Sequence, residues 1–373
     1  MEVTYFTNVF SHYRYGIWKM FLENKKINFK IYYSNKELNG IQQSSLNKFQ
    51  SHQLNKLGHI KNISLFGKVI WQVGVIKKVI TSRSQVFIFL GEMNIFSTWI
   101  SAIIARIRGR NVIFWGHGLY GNENFIKEFF RTTFLRLAEH HFLYGEHAKN
   151  LMIKKGINKN QIHVIYNSLD HDKLTSIYRD SQNKKVNFCN VIKSSNYLIF
   201  SGRLTKAKNL SLLFDAMNYF FKNKVEINLI VVGEGPEKNN LIKRYNNLIT
   251  SKIVHFTGEI YNEKKLCDYI RNAKLFVSPG NIGLASIHSL TYGTPVCTHN
   301  DINYQMPEAE ILNNKNSVLF KRNDLDSLIN AIETGVLLKN KKGFIDKCIK
   351  SVSEKYTPKG QNKIITSYLV CLK

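Results

Sequence analysis

Short apolar runs alternate with longer segments in which apolar residues recur every three or four positions, and the alternation persists along nearly the whole chain. In the first half VTYFT, INFKIYYS, QVFIFLG, NVIFWGHG, HHFLYG and IHVIYN are short runs rich in β-branched and aromatic residues, which predicts strands. STWISAIIARIRG, NENFIKEFFRTTFLRLAEHH and EHAKNLMIKKG carry the helical period between them. The alternation restarts at NYLIFSGRL and continues through INLIVVGEG, KIVHFTGE, LFVSP and SVLFKRN, with helical segments between. Two consecutive βα runs of similar size predict an α/β protein of two doubly wound, Rossmann-like domains facing each other across a cleft. All five prolines, at 236, 279, 295, 307 and 358, fall in the second half, and the polar stretch HDKLTSIYRDSQNKKVNF reads as the linker. The expected domains are 1–175 and 176–355, with 356–373 a C-terminal helix packing back toward the first.

At 373 residues and 44% apolar, the chain can bury two cores, which excludes a disordered protein. Its 53 Lys and Arg against 26 Asp and Glu give a formal charge of +27, a surface that seeks polyanions. The basic residues are spread along the chain and no nucleic-acid motif is present, so an anionic membrane surface or phosphate-bearing ligands fit better than nucleic acid. Five scattered cysteines, Cys189, Cys267, Cys297, Cys348 and Cys371, suggest neither a disulfide framework nor a zinc site and suit a reducing cytoplasm. The N-terminus lacks the pattern of a signal peptide, and the best apolar helix is too short to span a bilayer and carries Arg106 and Arg108.

The most informative stretch is LFVSPGNIGLASIHSLTYGTPVCT, residues 275–298: strand, glycine turn, helix, strand. Parallel α/β sheets bind ligands beyond the carboxyl ends of their strands, where a helix N-terminus offers free N–H groups to an anion. Two other strand ends carry related chemistry. SGRLTKAKNL puts Arg203 and Lys208 after a strand, either as a clamp for a pyrophosphate or as solvated surface charges. VVGEGPEK puts Gly233 and Gly235 where backbone can approach a ligand closely, or simply where a turn precedes a helix.

In this order, GRLTKAKN, GEGPE, FTGEI and GLASIHSLTYGTPV resemble the donor domain of the retaining GT-B glycosyltransferases of family 4 (glycosyl transferases group 1). The resemblance covers residues 196 to about 335 and extends more weakly to the first half through WGHG and IYNSLD. It implies that Gly202, Arg203, Lys208, Gly233, Gly235, Gly283, Leu284 and His288 meet a nucleotide diphosphate sugar, and that His117 lies near the reacting sugar. It also implies catalysis by His117, Arg203 and Lys208 through positioning and charge stabilisation, without cofactor or metal. In the loop after the first strand, Asn8, Ser11 and Arg14 stand where the family's donor or acceptor loop lies; Arg14 there serves an acceptor phosphate or a structural role.

One departure stands out. The family usually carries two glutamates eight positions apart around the glycine turn, and here those positions are Gly280 and His288. A histidine can hydrogen-bond a hydroxyl but supplies no permanent negative charge. Downstream, Glu308 and Glu310 in MPEAE are either a substitute carboxylate or a solvated helix start. Asp170-His171-Asp172 spells DxD but falls at the expected domain boundary and reads as a hinge, while His140, His141 and His147 lack metal-site spacing. The resemblance implies a metal-independent glycosyltransferase that moves a sugar to a lipid-linked saccharide in bacterial surface polysaccharide synthesis (O-antigen, lipopolysaccharide or capsule), peripheral on the inner face of the cytoplasmic membrane. A nucleotide-sugar 2-epimerase and a catalytically degenerate GT-B partner protein are the alternatives. The segment IKEFFRTTFLRLAEHH is either the membrane contact or an ordinary helix burying its Phe and Leu residues.

Overall fold

The computed structural model describes residues 1–34, 43–65, 67, 69–182 and 196–372. The chain divides into two compact units, Met1–Asp170 with Lys355–Lys373, and His171–Glu354.

The first unit is built on one eight-stranded sheet. Its strands are β1 (Glu2–Phe6), β2 (Asn28–Ser34), β3 (Leu57–Leu65), β4 (Val69–Val73), β5 (Val86–Leu90), β6 (Asn111–Gly116), β7 (His140–Leu143) and β8 (Ile162–Val164). They lie in the order β4-β3-β2-β1-β5-β6-β7-β8, and every neighbouring pair is parallel except β3 and β4. Continuous apolar runs are what such a sheet requires, because both faces are covered. Val86 and Ile88 of β5 and Ile113 and Trp115 of β6 enter one core, with helix Tyr15–Leu22 and, through Ile365 and Leu369, helix Pro358–Cys371. Their alternates Phe87, Phe89, Val112 and Phe114 enter the other core, with Ala102 and Ala105 of helix Phe96–Ile107 and Phe134 of helix Phe125–Leu135.

The second unit has six parallel strands: β9 (Tyr197–Ser201), β10 (Asn228–Val232), β11 (Val254–Gly258), β12 (Leu275–Ser278), β13 (Val296–His299) and β14 (Ser317–Phe320). Their order is β11-β10-β9-β12-β13-β14, the doubly wound arrangement of nucleotide-binding domains. Strand order reverses between β9 and β12 here, and between β1 and β5 in the first unit. A crevice opens at each reversal, because successive connections leave to opposite faces of the sheet.

Two expectations fail. The β3–β4 hairpin is absent from the sequence reading because it forms the sheet edge, where Ile63, Leu65 and Val73 are exposed and polar residues intervene. HDKLTSIYRDS is not a linker but the helix His171–Ser181, which buries Leu174 and Ile177 and packs on helix Glu263–Asn272. The remainder of the expected linker beyond Gln182, with Cys189, lies outside the described residues. No helix among the described residues is long and apolar enough to cross a membrane.

Ile365 is fully buried between the C-terminal helix and the first-unit sheet. Ile365→Ala should therefore destabilise that unit by about 2–4 kcal/mol, read as a lowered urea midpoint of the full chain. A midpoint unchanged by this cavity would mean that the helix does not hold the core closed.

Candidate functional site

In the second unit, three loops at the carboxyl ends of strands are pressed together through their backbones. Gly202 N donates to Val232 O at 3.0 Å and Leu204 N to Glu234 O at 2.9 Å. A Cβ on Gly233 would sit 2.1 Å from Gly202 O, and one on Gly235 would sit 2.3 Å from Leu204 O. Both glycines also have positive φ, 130° and 159°. The backbone that they admit is thus the chain's own. The same holds after β12, where a Cβ on Gly280 would lie 2.0 Å from Ala207 O. No glutamate fits at position 280 while the Lys206–Lys208 turn occupies that space.

This packing carries Lys208 onto the β12 turn. Its Nζ donates to Asn281 O at 2.7 Å and to Asn281 Oδ1 at 2.9 Å. Burial lowers the ammonium to about 8, with Glu308 opposing. Glu308 is itself buried, which removes its reading as a solvated helix start, and its Oε2 would be 3.8 Å from a Cβ on Gly283. Gln305 steadies the turn by accepting from Ile282 N at 2.7 Å and donating to His299 O at 2.9 Å. Arg203 is exposed at the end of β9. Leu284 caps the two-turn helix Ala285–Thr291, with Ser286 N donating to Gly283 O at 2.9 Å. The structure therefore gathers Lys208, Asn281, Gly283 and Glu308 around the reversal between β9 and β12.

His288 is engaged within the protein: its Nε2 is 2.6 Å from Glu263 Oε1, which also accepts from Tyr292 Oη at 2.7 Å. Burial opposes charge on Glu263, but His288, Tyr292 and Lys173 together hold its carboxyl down at about 2. A carboxylate thus reaches position 288 from a neighbouring helix.

In the first unit, the ends of β1, β5 and β6 open into a cavity of 890 Å³ whose lining includes Asn8, Ser11, Arg14, Glu92, His117 and Tyr144. Ser11 is structural in its contacts: its carbonyl accepts from Trp18 Nε1 and from Ser44 Oγ, each at 3.1 Å. Asn8 Oδ1 accepts from Gln72 Nε2 at 2.9 Å. Arg14 donates to Tyr144 Oη and lies 5.6 Å from the Trp115 ring. His117 packs edge-on to Tyr144 at 5.0 Å, and burial, with Arg14 and Arg131, lowers its imidazole to about 4. It is therefore neutral at physiological pH, able to donate from one nitrogen and accept at the other. Arg131 also lines the cavity and pairs with Glu123 at 3.2 Å. By contrast, His141 is buried in β7 and His140 packs edge-on to Tyr368 at 5.2 Å, so these two histidines serve packing.

Sequence reasoning missed Glu92, Tyr144, Asn281, Gln305 and Glu263. Glu92, Tyr144 and Asn281 do carry a signal, a polar residue one to three positions past a parallel strand; Gln305 and Glu263 reach their sites only through tertiary packing.

Residues 181–343 match the family of glycosyl transferases group 1. An uncharacterized glycosyltransferase of Methanocaldococcus jannaschii is 28% identical over 211 residues, covering 53% of this chain and 51% of that protein. The alpha-monoglucosyldiacylglycerol synthase of Streptococcus pneumoniae is 31% identical over 105 residues, covering 27% of this chain and 24% of its own. The chain thus spans about half the length, or less, of these curated relatives. The crystal structure of Anabaena HepE in complex with UDP superposes over 100% of both chains with a TM-score of 0.71 at 15% identity. That likeness is one of fold: two parallel-sheet Rossmann-like units of the GT-B type.

Because Glu263 sits below the ordinary glutamate value of 4.5, its contribution to stability is complete above about pH 4.5 and lost as pH falls toward 2. Glu263→Gln should lower stability at neutral pH and flatten the acid limb of a pH–stability profile followed by circular dichroism. An acid limb identical to that of the unaltered protein would exclude the Glu263–His288 pair as its source.

Proposed function

We propose that the protein is a retaining glycosyltransferase that moves a sugar from a nucleotide diphosphate donor to an acceptor hydroxyl. The observation that carries this reading is Lys208, a partly buried cation fixed on Asn281 at the β9–β12 reversal, with Arg203 exposed at the same strand end. A diphosphate in that crevice meets a preorganised positive charge, which stabilises it as the leaving group without a metal. The match of residues 181–343 to glycosyl transferases group 1 supports the donor role of this unit. UDP in the HepE complex supports a nucleotide ligand. Gly202, Gly233 and Gly235 shape the crevice by bringing the loops together, and Gly283 and Leu284 offer backbone N–H groups toward it. His288, oriented by Glu263, serves donor hydroxyls, and Glu308 fixes the charge of Lys208. His117, neutral in the first-unit cavity, serves the hydroxyls of the reacting sugar or acceptor.

The acceptor reading is a saccharide carried on a lipid, used in bacterial surface polysaccharide synthesis at the inner face of the cytoplasmic membrane. Helix Phe125–Leu135 supports it. At about 100° per residue, Phe125, Ile126, Phe129 and Phe130 occupy one arc, opposite the face that buries Arg131, Thr132, Phe134 and Leu135. Phe125, Ile126, Phe129 and Phe130 are 82%, 68%, 60% and 55% exposed. With a formal charge of +27 behind it, this face suits an anionic bilayer, into which its aromatic side chains insert. Sedimentation with vesicles containing phosphatidylglycerol should remove the protein from solution, and Phe129→Ser/Phe130→Ser should abolish this. Equal binding to pure phosphatidylcholine, or self-association through this face in place of vesicle binding, would exclude the anionic membrane surface.

Lys208→Ala should reduce transfer by about 10²-fold or more, as expected for one charge-stabilising group, with folding intact by circular dichroism. Since Lys208 titrates near 8, UDP affinity measured by calorimetry should fall as pH rises through that value, and the variant should lose this dependence. Turnover should survive EDTA. Release of nucleotide or epimerised donor without any acceptor would favour an epimerase or hydrolase instead.

A further inference from the structure

We propose that the first-unit cavity binds an anionic acceptor group, a phosphate or a carboxylate, on the Arg14 guanidinium. Arg14 leaves the chain just beyond β1, on a short helical turn over His12–Arg14, and is only partly exposed. Three rings surround its guanidinium carbon, Tyr144 at 5.5 Å, Trp115 at 5.6 Å and Tyr13 at 5.7 Å. The phenols of Tyr144, Tyr13 and Tyr5 face this charge, and His117 feels it as well. A guanidinium carries five N–H donors; Tyr144 Oη accepts from it and the Tyr5 phenol also lies within its reach, which leaves further donors of the fork for a ligand. Rings soften the burial of a cation, but they do not neutralise it or use its fork of donors.

The rest of the cavity points the same way. Lys127 also lines it, as does Arg131 with its partner Glu123, and among the described residues Glu92 is the one carboxyl group in the lining. His117 Nδ1 is buried there with no hydrogen-bond partner among the described residues. His117 and Arg14 both pack on Tyr144, so an anion accepting from the guanidinium comes within reach of the imidazole, which can donate a second hydrogen bond. The planar fork of an arginine matches two oxygens of one phosphate or carboxylate. A neutral saccharide would leave that charge without a counter-charge. Naming the anion as acceptor rests on the transfer reading above; the binding itself does not.

The test uses the full chain carrying Arg203→Ala/Lys208→Ala, so that anions at the second unit do not contribute. Calorimetry with inorganic phosphate, dihexanoyl phosphatidic acid and galacturonate reads the site. At least one should bind, and adding Arg14→Gln should weaken it by about tenfold or more, the scale of a lost charge-assisted hydrogen bond. Tighter binding of the lipid than of inorganic phosphate identifies a lipid headgroup as the source. Equal binding identifies phosphate alone, and a preference for galacturonate identifies an acidic sugar. Failure of all three to bind, or equal binding after Arg14→Gln, overturns the proposal. Should Arg14→Gln not fold, Arg14→Lys keeps the charge but loses the fork, and undiminished anion binding by it overturns the proposal as well. UDP binding, measured with residues 203 and 208 unaltered, tests the donor reading separately: its absence would sink that reading and leave the anion result standing.

Discussion

Backbone against backbone, with no room for a side chain, is the constraint on which the second unit depends. Gly233 and Gly235 let the loop after β10 lie on the carbonyls of Gly202 and Leu204, and Gly280 lets the loop after β12 lie on Ala207. Once these loops touch, Lys208 has little freedom: its ammonium must bond Asn281 and lie within reach of Glu308. Burial then makes that ammonium easier to deprotonate than a surface lysine, so the close packing that places the cation also tunes it. A side chain at any of the three glycines would push the loops apart and return Lys208 to solvent.

The first unit solves a different problem. Its sheet packs large rings on both faces, and on the Tyr5, Trp18 and Trp115 side the aromatic stack continues to the end of the strands. Arg14 and His117 emerge on top of this stack, so an apolar floor supports a polar, positively charged wall. Such a floor excludes water beneath the cation and strengthens whatever hydrogen bonds it makes with a ligand. The two units thus present cations at their strand ends by different means: a lysine fixed by hydrogen bonds to backbone and amide, and an arginine fixed by rings. Both lie where the strand order reverses.

Several features were legible in the order of residues alone. Apolar runs long enough to be buried on both faces predict parallel strands, and twelve of the fourteen strands among the described residues follow from them. Glycine at the ends of β9, β10 and β12 marks close approach of backbone, and Arg203 and Lys208 stand beside it. These signals are local, so periodicity and a few adjacent residues suffice. The edge hairpin of β3 and β4 escaped because a half-exposed strand carries no continuous apolar run. Helix His171–Ser181 was misread for a related reason: its few apolar positions are meaningful only against the helix that covers them.

Which partner each polar group takes was decided by the tertiary structure. The sequence shows Gly280 and His288 where carboxylates are expected, but not that the Ala207 carbonyl fills the space at 280 or that Glu263, 25 residues away, pairs with His288. Nor does it distinguish a membrane-facing helix from a buried one in IKEFFRTTFLRLAEHH, because that segment carries apolar residues on two faces. Packing chose Phe134 and Leu135 for the core and left Phe125, Ile126, Phe129 and Phe130 in solvent. Sequence by itself thus determined the repeating βα architecture and the strand ends that carry charge, since both are written in nearest neighbours and short periods. The pairing of charges, the burial of Arg14 among rings and the choice of exposed face depend on residues brought together from distant parts of the chain, and only the folded structure decides those.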